Sequence, residues 1–551
     1  LERRARNQNR PSLILGSSVM SDGIDQSKLE KKTYSLKVDQ FNKATELKIL
    51  NCSRPHMRAF HMSWLSFFMA FTGWFALAPL VPIVRVSLNL CPNGNYDPVD
   101  ETNEEWKSYE FCGQEKYAGD FVCTKMQYTQ NMSNLKKCKW DHPNGGGVGK
   151  GRWGLGNIMS VTGTIFMRLV AGSWAESYGP RYSQTFMLVV FALPLALIGL
   201  CQTAEAVAAV RFFVGGMGAT FVITQFWTSV MFSGNVVGTA NATSGGWGNV
   251  GGGFTQLFMP LVFKLCNASI DNPYVSWRVA VLVPAALLAL LGGVIFGFSD
   301  DVPEGNYADL YKSGAKKKEL GSHMFFLAAR DPRVWVLFIT YAGCFGTELT
   351  MNDVLAGHFF DFFGLSLEEA GTASSCFGLM NLFARSLGGI VSDVVARSYS
   401  HRGRHWVLFA TNFFQGWAIV AFSFCNEDMF AAALPLLVLF STFVQAAEGA
   451  TYAIVPYVGR HLMALGPVSG IVGAGGNFGA VMWSMIHKQY DGDDPTAPFL
   501  YHGLGVVITA FSVPFCHYDV FGSMFLPQKT VPEPPKAAAV AAPAAKPESD
   551  V

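Results

Sequence analysis

The chain has 551 residues, is 50% hydrophobic and only 15% charged, with a formal net charge of +1. Soluble proteins carry about 25% charged residues, so this composition argues against a soluble domain. The near-neutral balance gives no reason to expect a nucleic-acid partner. No metal-ligand cluster, nucleophile motif or cofactor loop in a plausible context is present, so no cofactor, metal or enzymatic activity is expected.

Leu1 opens the chain and the first methionine is Met20, so residues 1–19 are left out of the functional reading. Residues 1–60 are expected to form a polar tail on the cytoplasmic side. The lack of an apolar stretch at its start predicts that no secretory signal is cleaved. Apolar stretches of roughly 20 residues, the length that crosses a bilayer core, then recur. About twelve are predicted, near 61–86, 152–177, 181–202, 205–233, 240–266, 275–298, 333–361, 367–396, 405–425, 429–458, 463–487 and 497–518. The break at 299–332 separates a first half, 61–298, from a second, 333–518. The expected class is therefore an all-α membrane protein set in a lipid bilayer.

Lys43, Lys48, Arg181, Lys312–Lys318, Arg397, Arg402 and Arg404 fall on one side of this pattern. Short loops rich in Lys and Arg stay in the cytoplasm, so both termini and the central loop are expected there. The segment 88–150 then lies outside. It holds Cys91, Cys112, Cys123 and Cys138, which suggest two disulfides in any of three pairings. Free thiols in an unstructured insert are the alternative. Asn131-Met-Ser133 is a candidate glycosylation site. The tail 519–551, rich in Ala and Pro towards its end, is expected to be disordered.

An internal repeat carries the main functional signal. Phe166-Met-Arg168-Leu-Val-Ala-Gly172-Ser-Trp-Ala-Glu176 aligns without a gap on Phe383-Ala-Arg385-Ser-Leu-Gly-Gly389-Ile-Val-Ser-Asp393. This lays the second span on the eighth. Trp247-Gly248-Asn249-Val250-Gly251 in the fifth span likewise resembles Gly475-Gly476-Asn477-Phe478-Gly479 in the eleventh. Transporters built from repeats bind substrate at the repeat interface near the midplane. An arginine inside a span costs ~3 kcal/mol or more unless it faces protein or water and finds an acceptor. Neither Arg168 nor Arg385 has a carboxylate one turn away; Glu176 and Asp393 lie about 12 Å further along the axis. A small anion bound between the two arginines is one reading. Pairing of each with a carboxylate on another helix, such as Glu348 or Glu448, is the other.

The glycine stretches have two readings as well. Gly246-Trp-Gly248-Asn-Val-Gly251 matches a dinucleotide fingerprint in letters, but no strand precedes it. The pairs Gly248/Gly252 and Gly475/Gly479 are better read as GxxxG helix-packing motifs. The charged turns Glu176-Ser-Tyr-Gly179-Pro-Arg181 and Asp393-Val-Val-Ala-Arg397 would suit a gate that opens and closes, or would simply anchor topology. Glu348 and Glu448 are intramembrane acids, and such groups are candidates for proton coupling. Asp353 and Asp361 lie nearer a span end.

Gly245-Gly-Trp-Gly-Asn-Val-Gly251 and Gly473-Ala-Gly-Gly-Asn-Phe-Gly479 are similar to the paired signatures of the nitrate/nitrite porters of the major facilitator superfamily. Leu77-Ala-Pro-Leu-Val-Pro-Ile83, Gly179-Pro-Arg-Tyr182 and Ala447-Glu-Gly-Ala-Thr-Tyr452 also resemble that family. Over residues 55–525 the chain looks most like the high-affinity nitrate transporters of algae and plants. The resemblance implies the major facilitator fold, with two pseudo-symmetric six-helix halves. It implies uptake of nitrate, and of nitrite as a second substrate, coupled to protons, with sodium as the alternative ion. Arg168 and Arg385 would clamp the anion. Asn249, Asn477 and Gly218 would lend polar contact and room, and Phe221, Tyr341, Phe345 and Phe75 would wall the site. A plasma-membrane location and a small accessory membrane protein as partner are further implications. The insert 88–150 departs from the short outer loop expected of plant relatives. A nitrate/nitrite exchanger, a facilitator for another small anion, or a nitrate sensor remain as alternatives.

Overall fold

The computed structural model describes residues 20–21, 24–25, 32–87, 148–316, 321–365, 367–462, 464–489, 495–518 and 522–526. Cys91, Cys112, Cys123, Cys138, Asn131 and most of the tail 519–551 lie outside the described residues.

Helices fill the predicted spans. Among the described residues, nine helical runs are long and apolar enough to cross a membrane. Spans one to four are His56–Leu80, Gly156–Tyr178, Pro180–Leu200 and Ala204–Met231. Span six is Pro273–Phe298, seven is Pro332–Phe359, ten is Phe430–Val458 and twelve is Ala497–Phe515. The run Glu369–Phe422 holds spans eight and nine, divided where Ser400 leaves helical geometry at φ 54°. Spans five and eleven are the helices Val237–Ile270 and Leu465–Gln489. Both are long enough, but too polar to count among the nine.

Local chemistry sets the turns. Between spans five and six, Asp271 takes the left-handed conformation that ends a helix. The Asn272 side chain then accepts from the N–H groups of Tyr274 and Val275, and Pro273 opens the next helix. Asp331 and Pro332 do the same for span seven. Gly179 joins spans two and three at φ 90°, where a side chain is strained, and a Cβ there would lie 2.5 Å from Asp301 Oδ1.

The packing suits a lipid solvent. Large apolar side chains point outward, among them Leu200, Leu290 and Ile508, while Asn241, Asn249, Asn412, Gln225 and Gln415 are fully buried. The signature glycines bring helices together within each half. A Cβ on Gly248 would strike the Phe67 ring at 1.9 Å, and one on Gly479 would lie 2.2 Å from the Ala342 carbonyl oxygen. Span five thus packs on span one as span eleven packs on span seven, which repeats the duplication in three dimensions.

Residues 32–54 form a strap over the Glu176 end of the first half. Ala44 N–H donates to Met231 O at 3.0 Å and Ser233 N–H donates to Ala44 O at 2.9 Å. Lys32 Nζ reaches Glu304 O, and Arg54 pairs with Asp300. Met20–Ser21 pairs antiparallel with Ile24–Asp25, in register Met20 to Asp25. Apart from isolated bridges, that ladder is the only β structure among the described residues.

Candidate functional site

The two repeat arginines meet in the middle of the protein, on one aromatic ring. Arg168 of span two and Arg385 of span eight are both fully buried. Their guanidinium carbons lie 5.0 and 5.2 Å from the centre of the Phe221 ring in span four. Arg168 also sits 4.7 Å from the Phe345 ring. Phe221, Tyr341 and Phe345 lie nearly parallel, with planes 6° to 12° apart. The face of an aromatic ring carries partial negative charge and holds a cation, so this stack seats both arginines in a dry place.

The signature glycines make the seats. The first glycine of each signature lies against the arginine of the opposite half. A Cβ on Gly245 would lie 2.9 Å from Arg385 Nε, and one on Gly473 would lie 3.5 Å from Arg168 Cδ. Arg168 Nη1 donates to Gly473 O at 2.6 Å, and its Nε donates to Gly218 O at 3.0 Å. Gly218 thus contributes a carbonyl as well as room.

The two arginines differ in partnership. Arg168 donates to neutral carbonyls, and its Nη2 has no partner among the described residues. Arg385 forms an ion pair with Glu448 of span ten, both side chains fully buried. Its Nη2 donates to Tyr341 Oη at 3.2 Å. Of the two readings, pairing with a carboxylate on another helix therefore holds for Arg385, and the carboxylate is Glu448, one of the two candidates. Its counter-ion lies on another helix, where a one-turn search cannot find it.

The two acids stand beside the arginines. Asn249 Nδ2 donates to Glu348 Oε2 at 3.0 Å and to Glu448 Oε2 at 3.2 Å. Asn381 Nδ2 donates to Glu348 Oε1 at 2.8 Å. Asn249 thus ties the carboxylates together. Asn477, its counterpart in span eleven, is buried with both polar side-chain atoms unpartnered among the described residues. Such a buried amide has unspent capacity for a ligand.

Phe75 packs on Phe71 and Trp74 rather than on the arginine ring stack. Phe71, one turn earlier, reaches Phe345 at 6.4 Å and takes the place expected of Phe75. Sequence reasoning also passed over Tyr452, which meets Phe221 and Tyr341 edge-on at 4.9 and 5.1 Å. It missed Asn381 as well, which lies one turn before Arg385 and was the available signal.

At one end the halves close on each other. A Cβ on Gly172 of span two would lie 2.1 Å from Gly466 O of span eleven. Glu176 Oε2 accepts from Gly466 N–H at 3.3 Å. Asp393 accepts from Thr239 N–H and Oγ1 of span five at 2.8 and 2.7 Å, and pairs with Arg404 at 2.6 Å. Arg404 stands where Arg397 was expected; the Arg397 side chain is exposed. Arg181 stays within its own half, donating through Nη1 to Phe296 O and through its backbone N–H to Asp301. Burial pushes the Asp301 carboxyl up to about 6, against the opposing pull of the Tyr307 and Arg181 N–H groups.

The chain matches the Major Facilitator Superfamily over residues 63–484. It is 34% identical to "High affinity nitrate transporter 2.5" of Arabidopsis thaliana, over 90% of this chain and 86% of that protein. It is 31% identical to "Nitrate transporter 2.2" of Chlamydomonas reinhardtii, over 90% of this chain and 86% of that protein. The cyanobacterial "Nitrate/nitrite transporter NrtP" of Picosynechococcus is 26% identical over 61% of this chain and 78% of its own length. Among solved structures, the human organic anion transporter MFSD10 aligns with a TM-score of 0.50 at 14% identity, over 84% of this chain and all of that one, a likeness of fold alone. A twelve-span duplicated fold, paired Gly-Asn signatures and these relatives agree: the chain belongs to the high-affinity nitrate transporters of the major facilitator superfamily.

Proposed function

We propose that this chain takes up nitrate across the plasma membrane by alternating access, holding the anion between Arg168 and Arg385. The observation that carries this reading is the convergence of one buried arginine from each half on Phe221, with Arg168 Nη2 unpartnered among the described residues. Nitrate is planar, with equivalent acceptor oxygens, and guanidinium is planar, charged at any physiological pH, and presents paired donors. The aromatic stack keeps water out and strengthens the attraction. Asn249 orients the two acids beside the arginines, and the buried Asn477 amide is its proposed counterpart in the other half.

Importing a monoanion into a negative cell costs ~2.3 kcal/mol per 100 mV. One co-transported proton makes the step neutral and two let the potential drive it. Glu348 and Glu448 adjoin the arginines and are the two candidates for carrying the proton in this reading; sodium is the alternative coupling ion. The Glu176 and Asp393 end is taken as cytoplasmic with both termini, because the basic short loops lie there. Its closed contacts form the inner gate. A small accessory membrane protein is the proposed partner.

The test is nitrate uptake in a host lacking its own system, with and without the accessory protein of a relative. Saturable high-affinity uptake with alkalinisation of the medium is expected. No uptake in either arrangement sinks the reading, and sodium-dependent, pH-insensitive uptake overturns the proton coupling. The name of the cyanobacterial relative includes nitrite, so exchange is the second reading; stimulation of nitrate entry by internal nitrite would select it.

A further inference from the structure

We propose that Glu448 is a built-in competitor of the transported anion for Arg385, and that a proton is what removes it. The inference rests on the nitrate reading above and adds an order of events to it. The two arginines start from unequal positions. Each has one unpartnered donor among the described residues, Arg168 Nη2 and Arg385 Nε, but only Arg385 is in an ion pair, its Nη1 held by Glu448 Oε2 inside the protein. An anion arriving at Phe221 therefore meets one available guanidinium and one already neutralised.

The oxygens show where a proton goes. Each oxygen of Glu348 accepts from an amide, one from Asn381 and one from Asn249. Glu448 Oε2 accepts from Arg385 and Asn249, but Oε1 accepts from no described residue. Glu448 Oε1 is the oxygen that no described donor occupies, and Glu348 lies within side-chain hydrogen-bond reach of this carboxyl group, so a proton can be held there. A proton added there turns the carboxylate into a neutral acid and dissolves the ion pair. Arg385 Nη1 is then released to donate to an oxygen of the anion, and Tyr341 keeps the guanidinium on the ring stack through Nη2. On release the proton leaves Oε1 and the ion pair re-forms.

Charge counting supports the order. Two arginines and two ionised glutamates sum to zero. Adding an anion alone leaves one uncompensated negative charge in a dry site, which is costly. Adding an anion and one proton restores zero. Charged or titratable groups around Glu448 are Glu348, Tyr341 and Cys344 of span seven, Arg168 of span two, Arg385 of span eight and Tyr452 of its own span. Glu348 is the one other carboxylic acid among them, so it is the control.

The experiment is tracer nitrate binding to the purified full chain in detergent between pH 5 and 8. Wild type should bind more weakly as pH rises, by about tenfold per unit where one proton is linked to one anion. Glu448→Gln keeps the shape but cannot ionise. It should bind at all pH values with the affinity wild type has at low pH, and lose accumulation driven by a pH gradient while keeping nitrate–nitrate exchange. Glu348→Gln should keep the wild-type slope. A wild-type slope in Glu448→Gln, or a flat profile in Glu348→Gln instead, overturns the switch and leaves nitrate binding standing. Absence of nitrate binding by wild type at every pH overturns both. If Glu448→Gln does not yield folded protein, Glu448→Ala carries the same test with the same outcomes.

Discussion

Alanine at Gly172 should hold the two halves apart at the Glu176 end. A Cβ there lies 2.1 Å from Gly466 O, whereas ordinary contacts begin at 3.4 Å, so the helices must separate by about 1 Å. Overpacking of this kind costs about 1–3 kcal/mol. The change also favours the helix by about 1 kcal/mol, but equally with the gate open or closed, so that gain cancels in the gating equilibrium. The closed population should fall about 5- to 150-fold relative to the open one. Two assays read this: the uptake rate in proteoliposomes, and labelling of a Ser469→Cys reporter, since Ser469 is buried beside this contact. Uptake should slow and labelling should accelerate. Gly293→Ala is the control, because nothing lies within 4 Å of its Cβ. Unchanged uptake and unchanged labelling in Gly172→Ala would refute this account of the gate.

Arg168→Lys and Arg385→Lys should each abolish high-affinity uptake, because lysine cannot reproduce a planar two-donor contact; near-normal kinetics in both would remove the arginines from the site. Tyr341→Phe removes one hydrogen bond to Arg385, worth about 1 kcal/mol, and should raise the nitrate KM about fivefold with normal expression. Asp301, pushed up to about 6 from 3.8, binds its proton more tightly folded than unfolded. Its contribution is therefore full below about pH 4 and lost as pH rises through about 6, by about 3 kcal/mol at most. Melting curves in detergent should show wild type losing stability relative to Asp301→Asn across that window; a pH-independent difference refutes it.

The spans were legible because apolar stretches of bilayer length are a one-dimensional signal. Arg168 and Arg385 were legible through duplication, which needs no knowledge of faces. Glu448 was legible only as one of two candidate partners, beside Glu348. Spans eight and ten meet through their packing, and no spacing rule says which residues of two separate helices point at each other. Arg404 was missed for a related reason. The Ser400 break folds the chain back, so Asp393 finds its base beyond the break and not one turn on at Arg397. Phe71, one turn before Phe75, is the ring of span one that reaches Phe345, and span one has no repeat partner motif that would have set its register.

The two signature helices carry a consequence for biogenesis. Val237–Ile270 and Leu465–Gln489 lack the continuous apolar run that the other spans have. The first is joined through Asp271 and Asn272 to Pro273–Phe298, whose apolar composition can carry the pair inward as a hairpin. Even then Gly245 and Asn249 find part of their surroundings on Arg385, Glu348 and Glu448, which are synthesised later. The first half therefore waits in the bilayer with an unfinished polar face. Truncation after the central loop should yield a species retained by quality control rather than a stable half-transporter.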